Sequence, residues 1–528
     1  MALLDRFRAF LDASPTSFHA ANVAAGLLEA AGYTALDEGG APEALPAGSK
    51  RYVLRSGSIV AFRVGANNPA TAGFRLTAAH TDSPNLRIKP RPHLRDQGYI
   101  RLGVEPYGGV MLATWADRDL GLAGRVLVRD GAGQKAILVD LRRPLCRIPT
   151  LAIHMNRGVN DEGLKFNAQK ELPALLALSD PGASGATAEP LRALLAEAAG
   201  VPESDLLTWD LALYDLTPAV ISGLNAEFLH SARLDNLASC HAGLEALIAA
   251  GDADLPATTA VLALFDHEEI GSTSERGAQS AWLEHLLERI VRDGAGDNAG
   301  GLSRALTHSW LVSADMAHAV HPAFADKHDG EHMPRLNAGP VVKQHSAQRY
   351  GTEAEGAALF MRLCEAADVP FQWFVNRSDL ACGSTVGPLV AARLAVRTVD
   401  VGNPMLSMHS IREMCGTADH AWMVAAMRAF LSGVGLAGGR GGRGGRGGRG
   451  GRGGRGGRGG RGGQGRRTAE AAAAAGSGGR GGGYPWRSVP APCGWFSVGA
   501  AARAPAAPPD VPTCHTPDQR RSMRPEVL

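Results

Sequence analysis

Five apolar runs of strand length, far apart in the chain, each lead into a histidine or an acid. Val261 to Phe265 (VLALF) turns through Asp266 and His267 into the adjacent pair Glu268 and Glu269, then into Gly271 and a small polar loop. LTAAHTDSP carries His80 and Asp82, SARLDNLAS carries Asp235, WLVSADMAHAVHP carries Asp315, and LSMHSIRE carries His409. Buried strands that deliver polar residues at their ends imply an α/β domain, in which ligands bind beyond the carboxyl ends of the strands.

Adjacent glutamates at such a place invite a division of labour. One can hold a metal while the other serves as general base on a water. His80, Asp235, Glu269, Asp315 and His409 together form a plausible ligand set for two metal ions with one bridging carboxylate. Oxygen and nitrogen donors without thiolate suit zinc, or manganese or cobalt. Spacing alone leaves ordinary roles open. Glu268 and Glu269 also fit a solvated loop, His80 and Asp82 a surface turn before Pro84, Asp235 a helix N-cap and His409 a helix start. His80 and Asp82 lie two apart on an extended segment, and Asp82 is placed to accept from the second ring nitrogen of His80.

The strings HTDSP, RLDN, DHEEIGS, DMAHA, NAGPVVK, RYGT, SDLACGSTVGP and VDVGNPMLSMHSIRE occur in that order between about Arg6 and Leu431. As an ordered set they resemble the M18 family of metallo-aminopeptidases, of the bacterial, aspartyl aminopeptidase-like type. The resemblance implies a zinc-peptidase catalytic domain with a mixed sheet flanked by helices, interrupted by an inserted β-rich dimerisation domain. It makes Asp235 the bridging ligand, completes one ion with His80 and Asp315 and the other with Glu269 and His409, and makes Glu268 the base with Asp82 beside it. His154, in RIPTLAIHMNR, would reach the active site of a neighbouring subunit. Lys343 is then the cation for an acidic first residue, with His318 and Tyr350 also near the substrate; Asp379 either binds the substrate amino group or is structural. The implied partners are peptides and further copies of the chain, in dimer-built particles up to a dodecamer. A neutral, leucine-like preference is the nearest alternative.

Domain limits follow from texture. Residues 1–88 and 231–432 read as the two parts of the catalytic domain, and 89–230, with short runs such as GRVLVRD and KAILVDLR, as the β-rich insert. Residues 433–528 differ from everything before them: Gly438 to Gly463 is a near-perfect Gly-Gly-Arg repeat, followed by alanine-, glycine- and proline-rich sequence. From Ser432 on there are 16 Arg and 4 acids, so this tail carries about +12 and the body about −10. A disordered tail is expected, with weak, salt-sensitive nucleic-acid binding from its charge; an RNA-associated scaffold acting through it is the alternative of another class. The 7 cysteines occur singly, which points to a reducing compartment. With no leader-like start and no long apolar run, a cytoplasmic protein without membrane contact is expected.

Overall fold

All seven residues of strand Thr259–Phe265 are buried, so both of its faces must be covered. The computed structural model, which describes residues 2–179, 189–251, 255–295 and 300–433, places this strand inside a nine-stranded mixed sheet. It runs parallel to Phe74–His80, which is parallel to Trp310–Ala314, which is parallel to Arg397–Gly402. Leu262 and Leu264 pack into one core with Leu28, Phe360 and Phe430. Val261, Ala263 and Phe265 pack into a second core with Trp282, Leu287 and Ile290. The first is covered by helices that include Leu234–Ala250 and Thr417–Leu431, the second by Trp282–Ala295 and Val386–Leu394. The expected mixed sheet flanked by helices is therefore present.

Register brings the strand ends level. Phe265 lies opposite His80, and Ala314 opposite Val401. Whatever follows Phe265, His80 and Ala314 thus emerges at one edge of the sheet.

Between Phe74–His80 and the helix Leu234–Ala250 the chain forms a six-stranded antiparallel sheet running from Asn85 to Asp215. It has its own core, including Leu86, Leu102, Val126 and Leu213. This span differs from the expected 89–230. Asn85–Asp96 is already one of its strands, whereas Phe228–Ser231 pairs with Glu413–Gly416 in a third, five-stranded sheet. That partner lies almost two hundred residues away, and local texture carries no trace of it. Upstream of Phe74–His80, Lys50–Arg55 and Ser58–Arg63 form a hairpin. Its turn needs Gly57, where a Cβ would stand 2.3 Å from Asp266 Oδ2.

The five described cysteines are free, and no described helix is long and apolar enough to cross a membrane. The expectations for the Gly/Arg-rich tail fall outside the described residues.

Behind the sheet, His241 and His420 are both buried and share a hydrogen bond of 2.9 Å. Phe7 stacks on His420 at 3.9 Å, and the groups facing the pair are Glu245, 3.5 Å from His241 Nε2, and Arg6, which is bonded to Glu245. Burial, aided by Arg6, pushes His241 down to about 3, and burial, aided by His241, holds His420 well below its usual value. The unfolded chain therefore takes up protons below about pH 6.5 that the folded chain refuses. The stability due to the pair is complete above that pH and is lost as pH falls, by about 1.4 kcal/mol per unit per group. Thermal unfolding followed from pH 7 to 5 should show a falling midpoint, with a shallower slope in His241→Gln. An equal slope in the variant would mean that the pair does not govern acid sensitivity.

Candidate metal centre

The level strand ends deliver the first ligands. His80 closes its strand, and Asp315 directly follows Trp310–Ala314. Glu268 and Glu269 lie in a single 3-10 turn after Thr259–Phe265, entered through His267 with φ 70°. Asp235 stands at the start of Leu234–Ala250 with φ −81° and ψ 103°, too extended for the helix proper. His409 follows Pro404–Leu406 in a turn with φ 67°, not at a helix start.

Their side chains converge. His80 Nε2 lies 3.4 Å from Asp235 Oδ1, 3.4 Å from Asp315 Oδ1 and 3.9 Å from Glu268 Oε2. His409 Nε2 lies 3.5 Å from Asp235 Oδ2 and 3.5 Å from Glu269 Oε2. Asp235 thus turns one oxygen toward each imidazole. His80 Nδ1 is 3.0 Å from the Asp82 carbonyl, and His409 Nδ1 is 3.0 Å from the Gly109 carbonyl. Carbonyls only accept, so in each neutral ring Nδ1 carries the hydrogen and Nε2 offers its lone pair to the cluster.

The electrostatics reflect crowded acids. Burial, with Asp315 and Asp82 adding to it against the pull of His80, pushes Glu268 up to about 8. Burial and the Asp235 carboxylate hold Glu269 well above its usual range. Burial lowers His80, but the facing carboxylates of Asp235, Asp315 and Asp82 outweigh it and leave the ring well above its ordinary value. Asp235 Oδ1 and Glu269 Oε1 are buried without any hydrogen-bond partner. Orphaned buried acceptors are costly, and a cation among them removes that cost. Donor atoms of His80/Asp235/Asp315, of His80/Glu268/Glu269 and of Asp235/Glu269/His409 lie within 4.8 Å of one another in each group. The residues fit one or more divalent ions bound by nitrogen and oxygen. The nearby Cys240 is turned away, its thiol on the His80 carbonyl at 2.9 Å.

These side chains line a cavity of about 470 Å³ together with Met316, His318, Lys343, Arg349 and Tyr350. Lys343, on the wall of this cavity, is also bonded to backbone. It is a strand residue of Val341–Gln344, buried, and its ammonium donates to the carbonyls of Asp315 (2.9 Å) and Met316 (3.2 Å), with Asp315 Oδ2 at 3.7 Å. A buried ammonium needs such acceptors, and these bonds anchor the backbone of Asp315. The backbone carbonyl of Asp82 takes the His80 Nδ1 hydrogen at 3.0 Å, and its carboxylate Oδ1 stands 3.5 Å from the same nitrogen. The carboxylate also accepts the N–H groups of Glu268 and Glu269, both at 3.1 Å, and the Tyr107 hydroxyl at 2.7 Å. His154 is exposed on the short turn Ile153–Met155 and is not among the residues lining the cavity. Asp379 is exposed, also outside that lining, and paired with Arg377 at 2.6 Å.

Sequence reasoning missed Glu413. Its buried carboxylate accepts the N–H of Asp235 (3.1 Å) and of His409 (2.8 Å), tying the two ligand-bearing turns together. Burial, then Asp235, pushes it up to about 8. Its position four residues after His409 was the available signal.

Comparison with known proteins agrees with this geometry. Residues 10–431 match the profile of the family described as aminopeptidase I zinc metalloprotease (M18). A probable M18 family aminopeptidase 2 of Ectopseudomonas mendocina is 51% identical over 429 residues, covering 80% of this chain and 96% of the relative. One of Pseudomonas aeruginosa is 49% identical over 423 residues, with the same coverage. Among solved structures, the one described as the Ape4 and Nbr1 complex superposes with TM-score 0.79 at 39% identity, covering 82% of this chain and 86% of that one. Yeast aminopeptidase 1 superposes with TM-score 0.72 at 28% identity, covering 81% and 97%. With its sheet, its cluster of acids and imidazoles and these relatives in agreement, the chain belongs to the M18 family of aminopeptidases and is a metallo-aminopeptidase, a peptide hydrolase.

Proposed function

We propose that this aminopeptidase removes the first residue of peptides with two divalent ions per subunit, zinc by family and manganese or cobalt by donor chemistry, and prefers Asp or Glu at that residue. The observation that carries the two-ion reading is Asp235, whose oxygens face His80 and His409 separately at 3.4 and 3.5 Å. His80 and Asp315 would complete one position, and Glu269 and His409 the other. When bound, such ions activate a water and polarise the scissile carbonyl.

The chain's own residues supply the rest. Glu268 takes the proton from the attacking water and hands it to the leaving amine. Its carboxylate lines the cavity and is close to His80 without being needed in either ligand set. Asp82 holds the turn from which Glu268 projects by accepting its N–H. Lys343 anchors Asp315. Because its ammonium is engaged, support for an acidic preference comes mainly from Arg349, whose exposed side chain also lines the cavity. His318 and Tyr350, on the same wall, would shape the substrate's path.

The subunits would associate through the inserted sheet. His154 sits among Leu151, Ile153 and Met155, which are 56%, 46% and 75% exposed; a second copy covering that patch would carry His154 toward its own cavity. One similar structure, at 29% identity with TM-score 0.71 over 81% of this chain, is described as a dodecamer of S. cerevisiae mApe1, and this chain would form a dimer-built assembly of that kind. The arginine-rich tail would add weak, salt-sensitive attraction to nucleic acid. A scaffold acting through that tail has no use for a buried cluster of ligands.

Glu268→Gln should keep its metal and lose turnover by about 10²- to 10⁴-fold. Full activity in the metal-loaded variant would remove Glu268 as base. Peptides beginning with Asp, Glu, Leu, Ala or Lys, assayed with and without chelator, should show chelator-sensitive cleavage led by Asp and Glu. Leucine-led cleavage would discard the acidic preference and leave the mechanism intact.

A further inference from the structure

The two halves of the metal centre are held by different parts of the fold. The half with Asp315 is fixed from within the catalytic domain, by the Asp82 carbonyl on His80 and by Lys343 on the Asp315 carbonyl. The half with Glu269 and His409 leans on the inserted sheet. Strand Tyr99–Tyr107 ends against it, and the next two glycines continue the contact.

Each of the three residues touches a different group. The Tyr107 hydroxyl donates to Asp82 Oδ2, the same oxygen that accepts the N–H of Glu269. Gly108, at φ +74°, passes so close that a Cβ there would stand 3.0 Å from Glu269 Cβ and 3.3 Å from its Oε2. The Gly109 carbonyl takes the His409 Nδ1 hydrogen, and a Cβ on Gly109 would lie 3.0 Å from that nitrogen. Beyond them the contact continues as a zipper: Met111 N–H donates to the His409 carbonyl at 3.1 Å, and Ile411 N–H to the Thr114 hydroxyl at 3.0 Å.

We infer that Tyr107–Gly108–Gly109 is a positioning element by which the inserted sheet sets the Glu269/His409 half of the centre directly, through Gly108 and Gly109, and reaches the His80/Asp315 half only indirectly, through the bond from Tyr107 to Asp82. The reason is geometric. His409 has a ring aimed by one carbonyl, and that carbonyl belongs to the insert. Glu269 has a backbone N–H held by an oxygen of Asp82 that also accepts from the insert's tyrosine. Outer partners of this kind change metal affinity by about 10- to 100-fold. A displacement of the insert is thereby converted into a change of affinity at one ion position.

The proposal rests on the two-ion reading, and its test separates the two. Metal-free full-length protein is titrated with zinc by calorimetry, and bound metal is counted by atomic absorption, for wild type, Tyr107→Phe and Gly109→Ala. Gly109 has a backbone that alanine can adopt, so the added methyl acts on His409 rather than on the fold. Wild type should take up two equivalents. Gly109→Ala should weaken one of them about tenfold or more and leave the other in place, with Tyr107→Phe acting in the same direction. Val104→Ala, which opens the core of the same strand away from the site, should lower the unfolding temperature without separating the equivalents. Unchanged titrations in both site variants, equal weakening of both equivalents, or a selective loss in Val104→Ala would each overturn the proposal. A single equivalent in wild type would overturn the two-ion reading, and the proposal with it, before any substitution is compared.

Discussion

Buried like charge is the constraint on which this structure depends. Asp82, Asp235, Asp315, Glu268, Glu269 and Glu413 lie within one small region around His80 and His409. Buried carboxylates are tolerated only when donors or cations surround them. Asp82 receives two N–H groups and a hydroxyl, and Glu413 receives two N–H groups. These two are satisfied by the protein itself and act as braces. Asp235 Oδ1 and Glu269 Oε1 receive nothing. The fold has provided for every acid that positions the site and left open those that face its centre, which is the arrangement a bound cation completes.

The scaffold that makes this possible is a set of parallel strands with level ends, held by cores on both faces. Strands deliver His80 and Asp315 directly, but Glu268, Asp235 and His409 come from turns that ordinary backbone does not supply. Non-glycine residues with positive φ stand at those turns, among them Arg233 at 61°, His267 at 70° and His409 at 67°. Each costs energy and is held by its surroundings. Arg233 donates to the Ser14 carbonyl at 3.0 Å, His267 bonds Ser274 at 2.7 Å and Arg276 at 3.0 Å, and the His409 N–H is taken by Glu413. Strain at the site is thus set against bonds made just outside it.

Coupling of the site to the insert follows from the same economy. A ring nitrogen must be fixed by something, and for His409 the nearest carbonyl is that of Gly109. Glycine is required at 108 by its positive φ and by the close approach of Glu269. The consequence is a centre whose two sides answer to two different parts of the chain.

The residue types and their order along the chain were legible from sequence, because a metal site needs imidazoles and carboxylates, and apolar runs of strand length announce where they emerge. The central strands were legible for the same reason: burial on both faces leaves a continuous apolar run, as in Thr259–Phe265. Lys343 was visible as a cation near the site but not as the anchor of Asp315, since its acceptors are backbone carbonyls that no side-chain pattern marks. Asp82 was visible beside His80, yet which of its atoms meets the ring depends on a turn of the backbone. Glu413 and Tyr107 stand on strands of two different sheets. Their roles arise from contacts across 178 residues to Asp235 and 25 residues to Asp82, between sheets whose meeting is decided by packing of the whole chain. Sequence alone determined which chemistry the molecule can perform, because that depends on which side chains are present. Tertiary structure alone decided what aims them, because the aiming is done largely by backbone N–H and C=O groups, which every residue carries and only the fold can place.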